Sequence, residues 1–245
     1  MPSEHVNRES VDCRMDRLRD DYGEVPVHRV DEEVPPERFE DLRAVARRGY
    51  TGGGYAWVVR EPDQTAALTE SMPDGIEDGR RVLMILGRGG TRWGLAGGGR
   101  EDGEVDPRET SKQASGESRE DGEVDPRETS KQASGGSRED GETYEEAAVR
   151  EVREETGIDC EVTDCFLLRR VRTDSTGDHD ERLHALYVFF DAAYVDGHIA
   201  VQPGELNGAA WFAEPPARLH PANELRAADF WDDFETDDPL ADFEW

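Results

Sequence analysis

The sequence predicts an α/β protein, an α/β/α sandwich with a mixed β-sheet, a helical N-terminal extension and a disordered insert. Apolar runs typical of strands lie on both sides of one strongly patterned helix at residues 143–157. A second helical pattern closes the chain at about residues 223–234. A charged repeat, poor in large apolar residues, separates the first strands from the patterned helix.

The domain limits follow from composition. Residues 1–48 are polar and mostly helical in pattern, with a proline-containing break near Pro26, and we expect them to form an accessory segment. Their role as an extra layer, a dimer contact or a substrate cover stays open. The main domain is expected at 49–235, interrupted by the insert at 100–137, and an acidic tail follows at 236–245.

Strand patterns begin near Tyr50. Tyr55, Trp57 and Val59 alternate with other residues, an apolar run follows at 81–86, and residues 93–95 lead into glycines at 97–99. Beyond the patterned helix, the ranges 160–171 and 183–193 are typical of long strands joined by a polar turn, and a further strand is expected at 209–212. A strand that ends in consecutive glycines lets the backbone approach a phosphate or a metal closely.

Start and stop signals fix the patterned helix. Thr143 is a suitable N-cap, and Glu146 lies three residues later, as in a capping box. Alanine and valine residues supply helix formers and an apolar stripe, and Gly157 supplies the stop. We therefore predict a helix that ends at about residue 156.

Three carboxylates share one face of this helix. Glu151, Glu154 and Glu155 are related by steps of three and four residues. Such crowding is self-repelling unless a cation lies among the carboxylates. Oxygen ligands without interleaved Cys or His favour Mg²⁺, with Mn²⁺ as an alternative. Solvated glutamates on an acidic surface are the simpler explanation, but the wider spacing argues against it.

Nine residues between positions 136 and 158 fit one spacing pattern: Gly136, Glu142, Arg150, Glu151, Val152, Glu154, Glu155, Gly157 and Ile158. The pattern resembles the signature of the Nudix (MutT/Nudix) hydrolase family, G-x5-E-x7-R-E-U-x-E-E-x-G-U with U aliphatic. The resemblance covers about residues 50–234 without the insert. It implies the Nudix sandwich fold and Mg²⁺-dependent attack of water on a nucleoside diphosphate linked to another group.

The resemblance also implies roles for these side chains. Glu151, Glu154 and Glu155 would be metal ligands, and one of them could act as the general base. Arg150 and Glu142 would orient the carboxylates, and a carbonyl of the glycine turn at Gly135 would complete the coordination. Glu142, Arg150, Glu151 and Glu154 are thus the candidate catalytic group.

Two positions outside the signature are further candidates. Glu205 precedes the last strand, where Nudix proteins often add a carboxylate to the metal site, and a solvated loop glutamate is equally compatible with the sequence. Asn223 lies in a PAN segment similar to one with which the MutT branch contacts an oxidised purine. The alternative for Asn223 is a helix N-cap. His179, His184 and His220 could contact phosphate, although structural positions are commoner for single histidines.

The insert is a tandem duplication. Nearly identical 19-residue units start at Arg100 and Arg119, and a third copy of the opening REDGE ends at Glu142. Removal of residues 100–137 restores an uninterrupted signature in which Gly98 takes the first glycine place instead of Gly136. We expect the insert to be disordered, and a calcium-binding repeat is a weaker alternative, because the unit lacks alternating Asp and Asn ligands.

Charge and composition exclude some classes of protein. The formal net charge is −29, which disfavours nucleic-acid binding. The insert contains both lysines of the chain, Lys112 and Lys131, and the remaining basic residues are arginines. Such an acidic, lysine-poor composition favours adaptation to high salt. We expect no membrane span, no signal peptide and a cytoplasmic location.

Several functions remain open at this point. Asn223 slightly favours hydrolysis of oxidised NTPs, and hydrolysis of ADP-ribose or a nucleotide sugar is the alternative. A non-catalytic module that keeps the carboxylates and binds a nucleotide without hydrolysing it is a second possibility. An acidic interaction protein is a third class. A small nucleotide is the expected ligand, and formation of a homodimer is left open.

Overall fold

The computed structural model describes residues 4–64, 79–99, 142–201, 204, 206–232 and 234. The expected insert at 100–137 lies outside this part, as does the tail at 236–245. Eight strands are present: β1 Glu4–Val6, β2 Val27–Val34, β3 Gly52–Arg60, β4 Arg81–Gly87, β5 Ala96–Gly99, β6 Ile158–Ser175, β7 Glu181–Gly197 and β8 Leu206–Phe212. The helices are α1 Arg8–Tyr22, α2 Pro36–Ala46, α3 Tyr144–Thr156 and α4 Glu224–Phe230, preceded by a 3₁₀ turn at Pro221–Asn223.

All eight strands belong to one mixed sheet. The main order is β2-β6-β7-β3-β4-β8, with β1 paired to β7 and β5 paired to β3. The pairs β1–β7, β2–β6 and β3–β7 are parallel, and the other pairs are antiparallel. The predicted mixed sheet is confirmed.

Helices cover both faces of the sheet. Ala56 and Val58 of β3 pack into the same buried cluster as residues of α1 and α3. Their neighbour Trp57 points to the opposite face, where it packs with α4 residues such as Ala227. Phe39 of α2 packs on Leu183, which alternates onto the α4 face. The structure is therefore the predicted α/β/α sandwich.

The N-terminal residues contribute more than helices. Helices α1 and α2 lie where the sequence predicts them, but the sequence analysis missed β1 and β2. Strand β2 pairs with β6 over eight residues, from Val27 opposite Leu168 to Val34 opposite Ser175. Asp31, Glu32 and Glu33 are poor strand formers, so this strand depends on pairing with β6 rather than on its own propensity. The N-terminal segment thus adds an edge strand to the sheet of the main domain.

Several element boundaries differ from the predicted ones. Strands β6 and β7 are longer than expected, because they pair with each other along a long antiparallel ribbon. Strand β5 begins at Ala96, whereas Trp93 and Gly94 form only isolated bridges to Leu219 and Ile85. Helix α4 ends at Phe230 because Trp231 adopts an extended conformation. No helix among the described residues is long and apolar enough to cross a membrane.

The thiols have structural positions. Cys160 and Cys165 are buried, and Cys13 is exposed. Burial raises the pKa of both buried thiols to about 12. They therefore stay protonated at neutral pH and take no part in the chemistry discussed below.

We predict a pH-dependent stability term at His184. This buried ring contacts His5 of β1 through a 2.8 Å nitrogen–nitrogen hydrogen bond. Its Nδ1 is buried without a hydrogen-bond partner among the described residues. Burial, followed by the charges of Arg170, His5 and Arg8, lowers its pKa from 6.5 to about 4, against a smaller opposing effect of Asp12.

In the unfolded chain the His184 ring binds a proton at a higher pH than in the folded protein. The contribution of the neutral ring to the free energy of unfolding is therefore fully present above pH 6.5 and is lost as the pH falls toward about 4. The loss should be at most about 3 kcal/mol. Denaturant unfolding at pH 7 and pH 4.5 should show a smaller pH effect for His184→Gln than for the wild type. Equal pH effects in the two proteins would contradict this prediction.

Candidate active site

Helix α3 begins and ends as predicted. The Thr143 side chain accepts a hydrogen bond from the Glu146 amide, and the Glu146 side chain accepts one from the Thr143 amide. Gly157 caps the other end with a left-handed backbone, φ +75°. The predicted capping box and glycine stop are confirmed, and together they fix the position of the helix along the sequence.

The helix lies directly against β3. A Cβ atom at Gly54 would come within 2.2 Å of the Tyr144 carbonyl oxygen, so only glycine permits this approach. The Tyr144 hydroxyl donates a hydrogen bond to the Thr51 carbonyl at 3.1 Å. The helix also buries its own side chains on the side that faces the sheet, namely those of Tyr144, Ala147, Ala148 and Val152. The carboxylates on this helix are therefore held rigidly relative to the sheet.

Glu155 connects the helix to the glycine strand. Its side chain is 2% exposed, and its Oε2 accepts a 3.2 Å hydrogen bond from the Gly97 amide of β5. A buried carboxylate needs hydrogen bonds or a cation to offset its lost hydration. Glu155 is thus an oriented carboxylate at the interface of α3 and β5.

Gly98 lies against the carboxylate of Glu151. A Cβ atom at Gly98 would be 2.3 Å from both Cδ and Oε1 of Glu151. The sequence left Gly98 and Gly99 in competition with Gly135 and Gly136 for this place. The structure puts Gly98, which precedes the insert, beside the helix, while Gly135 and Gly136 lie outside the described residues.

Arg150 links three acidic side chains. Its Nε donates to Glu142 Oε1 at 2.7 Å, and its Nη2 donates to Glu142 Oε2 at 3.2 Å. Its Nη1 donates to Glu151 at 3.1 Å and to Glu154 at 3.3 Å. This guanidinium therefore lies among the carboxylates and offsets part of their mutual repulsion.

The structure brings together all four residues of the candidate catalytic group through the hydrogen bonds of Arg150. Glu151, Glu154 and Glu155 lie on one side of α3, and the Glu154 side chain is the most accessible at 55% exposed. Among the described residues, no set of three or more acidic, His or Cys side chains is arranged closely enough to hold a metal ion. Hydrogen bonds from Arg150 hold Glu151 and Glu154, and the Gly97 amide holds Glu155. The predicted ligand Glu205 lies outside the described residues.

A cavity of about 390 Å³ opens on the α4 face of the sheet. Tyr55, Tyr187 and Phe189 line its apolar part, with Leu95 at the start of the glycine strand. Its volume falls within the range of about 300–1,000 Å³ that is usual for small-molecule sites. The cavity thus combines an aromatic surface with a position next to β5.

Asn223 lines this cavity and is the N-cap residue of α4. Its side chain makes no capping hydrogen bond, and His220 supplies the cap of the 3₁₀ turn by accepting from the Ala222 amide. Asn223 is 3% exposed. The Asn223 side chain lies close to Gly94, because its Nδ2 is 3.7 Å from the position that a Cβ atom at Gly94 would take. Asn223 thus occupies the N-cap position that the alternative interpretation gave it, but its side chain does not cap the helix.

Sequence reasoning missed two charged residues of this cavity, Glu32 on β2 and Arg169 on β6. Alternation along the predicted strand at 160–171 could have placed Arg169 on the same face as Leu167. Nothing local marks Glu32, because its position depends on the unpredicted pairing of β2 with β6.

A comparison with protein families finds one match. Residues 118–234 match the family model described as the NUDIX domain. The match starts within the repeat insert, so Gly98 lies outside it. No curated protein matches the chain.

Solved structures give distant similarities. One is an ADP-ribose pyrophosphatase from Streptococcus suis 89-1591, with 12% identity, 68% of this chain and 75% of that chain covered, and a TM-score of 0.31. A UDP-X diphosphatase has 14% identity, coverages of 84% and 79%, and a TM-score of 0.33. The E. coli ORF135 protein has 16% identity, coverages of 72% and 77%, and a TM-score of 0.27.

Proposed function

We propose that this chain is a Nudix hydrolase, which the match of residues 118–234 to the NUDIX domain model supports, and that it cleaves the pyrophosphate bond of a nucleoside diphosphate linked to another group. A nucleoside monophosphate would be one product. The observation that carries the proposal is the packing of the carboxylate face of α3 against Gly97 and Gly98. This contact places acidic side chains beside a backbone that a phosphate can approach closely.

We propose that the site binds a divalent metal, Mg²⁺ with Mn²⁺ as a substitute, on the chemistry of its donors, although the described side chains as they stand form no set of three ligands. Glu151, Glu154 and Glu155 offer hard oxygen donors, and the glycine at position 98 lets the β5 backbone lie against the Glu151 carboxylate. Glu205 and a carbonyl at Gly135 remain proposed additional ligands. When bound, the metal would neutralise the pyrophosphate and activate water.

The side chains of the protein have separate roles in this proposal. Arg150 positions Glu151 and Glu154, and Glu142 holds the opposite edge of the guanidinium. Glu155 is fixed by the Gly97 amide. Glu154 is the most exposed carboxylate, so it is best placed to accept a proton from attacking water. The role of general base is therefore assigned to Glu154 within this proposal.

A substrate panel tests the activity. The purified chain would be incubated with Mg²⁺ and 8-oxo-dGTP, ordinary dNTPs, ADP-ribose, a UDP-sugar, NADH or a diadenosine polyphosphate, and products would be resolved by ³¹P NMR. We expect a nucleoside monophosphate from at least one of them. The lean toward oxidised NTPs depends on Asn223 alone, and the comparisons with known proteins do not add to it. Absence of turnover across the panel would favour a binding module.

We expect the insert to be dispensable for this activity. Gly98 precedes residues 100–137 and Glu142 follows them, and the contacts of Gly98 with Glu151 and of Glu142 with Arg150 do not involve that range. Shortening the connection from about 44 residues to about 6 reduces the entropic free-energy cost of closing it by only roughly 1.5–2 kcal/mol. A variant lacking 100–137 should retain kcat within about threefold, a change of less than 1 kcal/mol in barrier height. Loss of activity in a folded deletion variant would show that the insert has a catalytic role.

We also propose that the protein is adapted to high salt. The net charge of −29 produces self-repulsion that dissolved salt screens. The thermal unfolding midpoint should therefore be higher in molar KCl than in dilute buffer. Equal midpoints would contradict this proposal, and either result sets the ionic strength for the assays above.

A further inference from the structure

A second cavity, of about 360 Å³, lies beside the start of α4. Three parts of the chain line it: Thr91 and Arg92 ahead of β5, residues 216–219, and Glu224 together with Phe234 around α4. Among the described residues, none lines both this second cavity and the larger cavity described above. The second cavity is therefore a separate feature of the surface.

Hydrogen bonds hold one wall of the second cavity, residues 216–219, in place. The Trp93 amide donates to the Arg218 carbonyl at 2.8 Å, and the His220 amide donates to the Trp93 carbonyl at 2.8 Å. Leu219 is buried. The apolar side chains of this wall are those of Pro216, Ala217 and Leu219. The wall is thus fixed by the backbone and apolar in part.

Two arginines make the lining of the second cavity positive. Arg92 and Arg218 are exposed, and Arg92 donates from Nη1 to the Leu219 carbonyl at 3.1 Å. No carboxylate in the part of the chain that the structure describes forms an ion pair with either arginine. Glu224 adds one negative charge to the lining. Two positive charges against one, in a protein of net charge −29, make this a local site that attracts carboxylates.

The chain itself supplies carboxylates next to this site. It continues from Phe234, a lining residue of the second cavity, into the sequence ETDDPLADFEW at 235–245. Three of the first four residues of this segment are acidic, and Pro239 and Leu240 follow directly. An extended chain spans at most about 3.6 Å per residue, so Leu240 has a reach of roughly 22 Å from Phe234. Acidic residues followed by apolar ones match two arginines beside an apolar wall.

We propose that residues 235–245 dock in the second cavity of their own chain. The carboxylates at 235–238 pair with the two arginines, and Leu240 packs on the apolar wall. Each exposed ion pair is weak, but a short tether gives the segment an effective concentration in the millimolar range, so weak contacts suffice for docking. The inference does not rest on the proposed function, because neither the cavity nor the segment contains a residue of the candidate catalytic group.

Docking connects the segment 235–245 to the larger cavity. Residues 216–219 form the wall on which the segment packs, and the next residue, His220, lines the cavity of about 390 Å³. A docked segment restrains this wall and therefore also the position of His220. The segment thus acts as a support for one side of the larger cavity.

Limited proteolysis of the full-length chain tests the docking. Chymotrypsin cleaves after leucine, and release of the peptide 241–245 by cleavage after Leu240 would be followed by mass spectrometry. The buffer would contain about 0.15 M KCl, in which ion pairs are only partly screened. At low protease concentration, the release rate follows the undocked population. The double variant Arg92→Gln/Arg218→Gln should release the peptide about fivefold faster than the wild type.

Arg88→Gln is the matched control. Arg88 is exposed on the same connection between β4 and β5 as Arg92, but it does not line the second cavity and donates to the Gly204 carbonyl at 3.0 Å. Its replacement should leave the release rate within about twofold of the wild type.

The acidic side of the contact gives a second variant. Asp237→Asn/Asp238→Asn should raise the release rate by the same factor as the arginine variant, and the combination of both should raise it no further, because the two changes remove one interaction. Isolated peptides 235–245 of both sequences would correct for the preference of the protease. These acidic variants change no described residue, so they also test the docking if the arginine variant unfolds.

Three results would overturn the inference. The first is an equal release rate in the wild type and in Asp237→Asn/Asp238→Asn. The second is a combined variant whose effect is the product of the two separate effects, since the groups would then act independently. The third is a wild-type release rate that rises on dilution of the protein, because a second copy of the chain would then supply the docked segment.

Discussion

Glu155→Gln lowers kcat by about two orders of magnitude or more on whichever substrate the wild type hydrolyses. The substitution removes one negative charge from the proposed metal site. Glutamine keeps a carbonyl oxygen that can accept the hydrogen bond from the Gly97 amide, so the packing of α3 on β5 should survive. The loss therefore reports on charge rather than on folding. Steady-state kinetics over a range of Mg²⁺ concentrations would measure it.

Glu145→Gln is the control for this prediction. Glu145 lies on the same helix and is ion-paired to Arg17 of α1 at 3.0 Å, whereas Glu155 is hydrogen-bonded to the glycine strand. Its replacement should leave kcat within about twofold and change only stability. Equal losses in the two variants would mean that the helix tolerates no change of charge, and Glu155 would then have no special role.

Gly98→Ala should lower kcat by about 10- to 100-fold with little change in stability. The added methyl group would overlap the Glu151 carboxylate, which is 2.3 Å from the position of the new Cβ. The end of a flexible side chain can move away, so the fold is expected to persist. A displacement of about 1 Å in a catalytic group can still cost about 100-fold in rate. Kinetics combined with thermal unfolding would separate these two effects.

Gly87→Ala is the matched substitution for Gly98→Ala. Gly87 ends β4, and a Cβ atom there would meet no other atom within 4 Å. We expect activity within about twofold of the wild type for this variant. Full activity in Gly98→Ala would contradict the placement of Gly98 beside the catalytic carboxylates and would reopen the assignment of that place to Gly136.

Local signals account for what the sequence predicted well. Thr143, Glu146 and Gly157 fix both ends of α3 through interactions within one or two turns, so no tertiary information is needed. The shared face of Glu151, Glu154 and Glu155 then follows from helical geometry. The strand patterns were also local, because Tyr55 and Trp57 lie on one face of the sheet and the alternating Ala56 and Val58 on the other.

Interactions distant in sequence account for what was missed. Strand β2 carries three consecutive acidic residues and forms only because β6 offers an edge to pair with. Its Glu32 reaches the cavity for the same reason. The choice between Gly98 and Gly136 could not be made from spacing, since both fit a glycine before the carboxylate helix. The contact of Gly98 with Glu151 is visible only in three dimensions, and Gly136 lies outside the described residues.

The central claim is that the carboxylates of α3 bind a divalent metal, and Mn²⁺ binding measured by electron paramagnetic resonance tests it most directly. Titrations in molar KCl would suppress weak binding by the acidic surface. The account predicts a saturable site in the wild type and in Glu145→Gln, with affinity at least about tenfold lower in Glu155→Gln. Identical Mn²⁺ binding in all three proteins would contradict it.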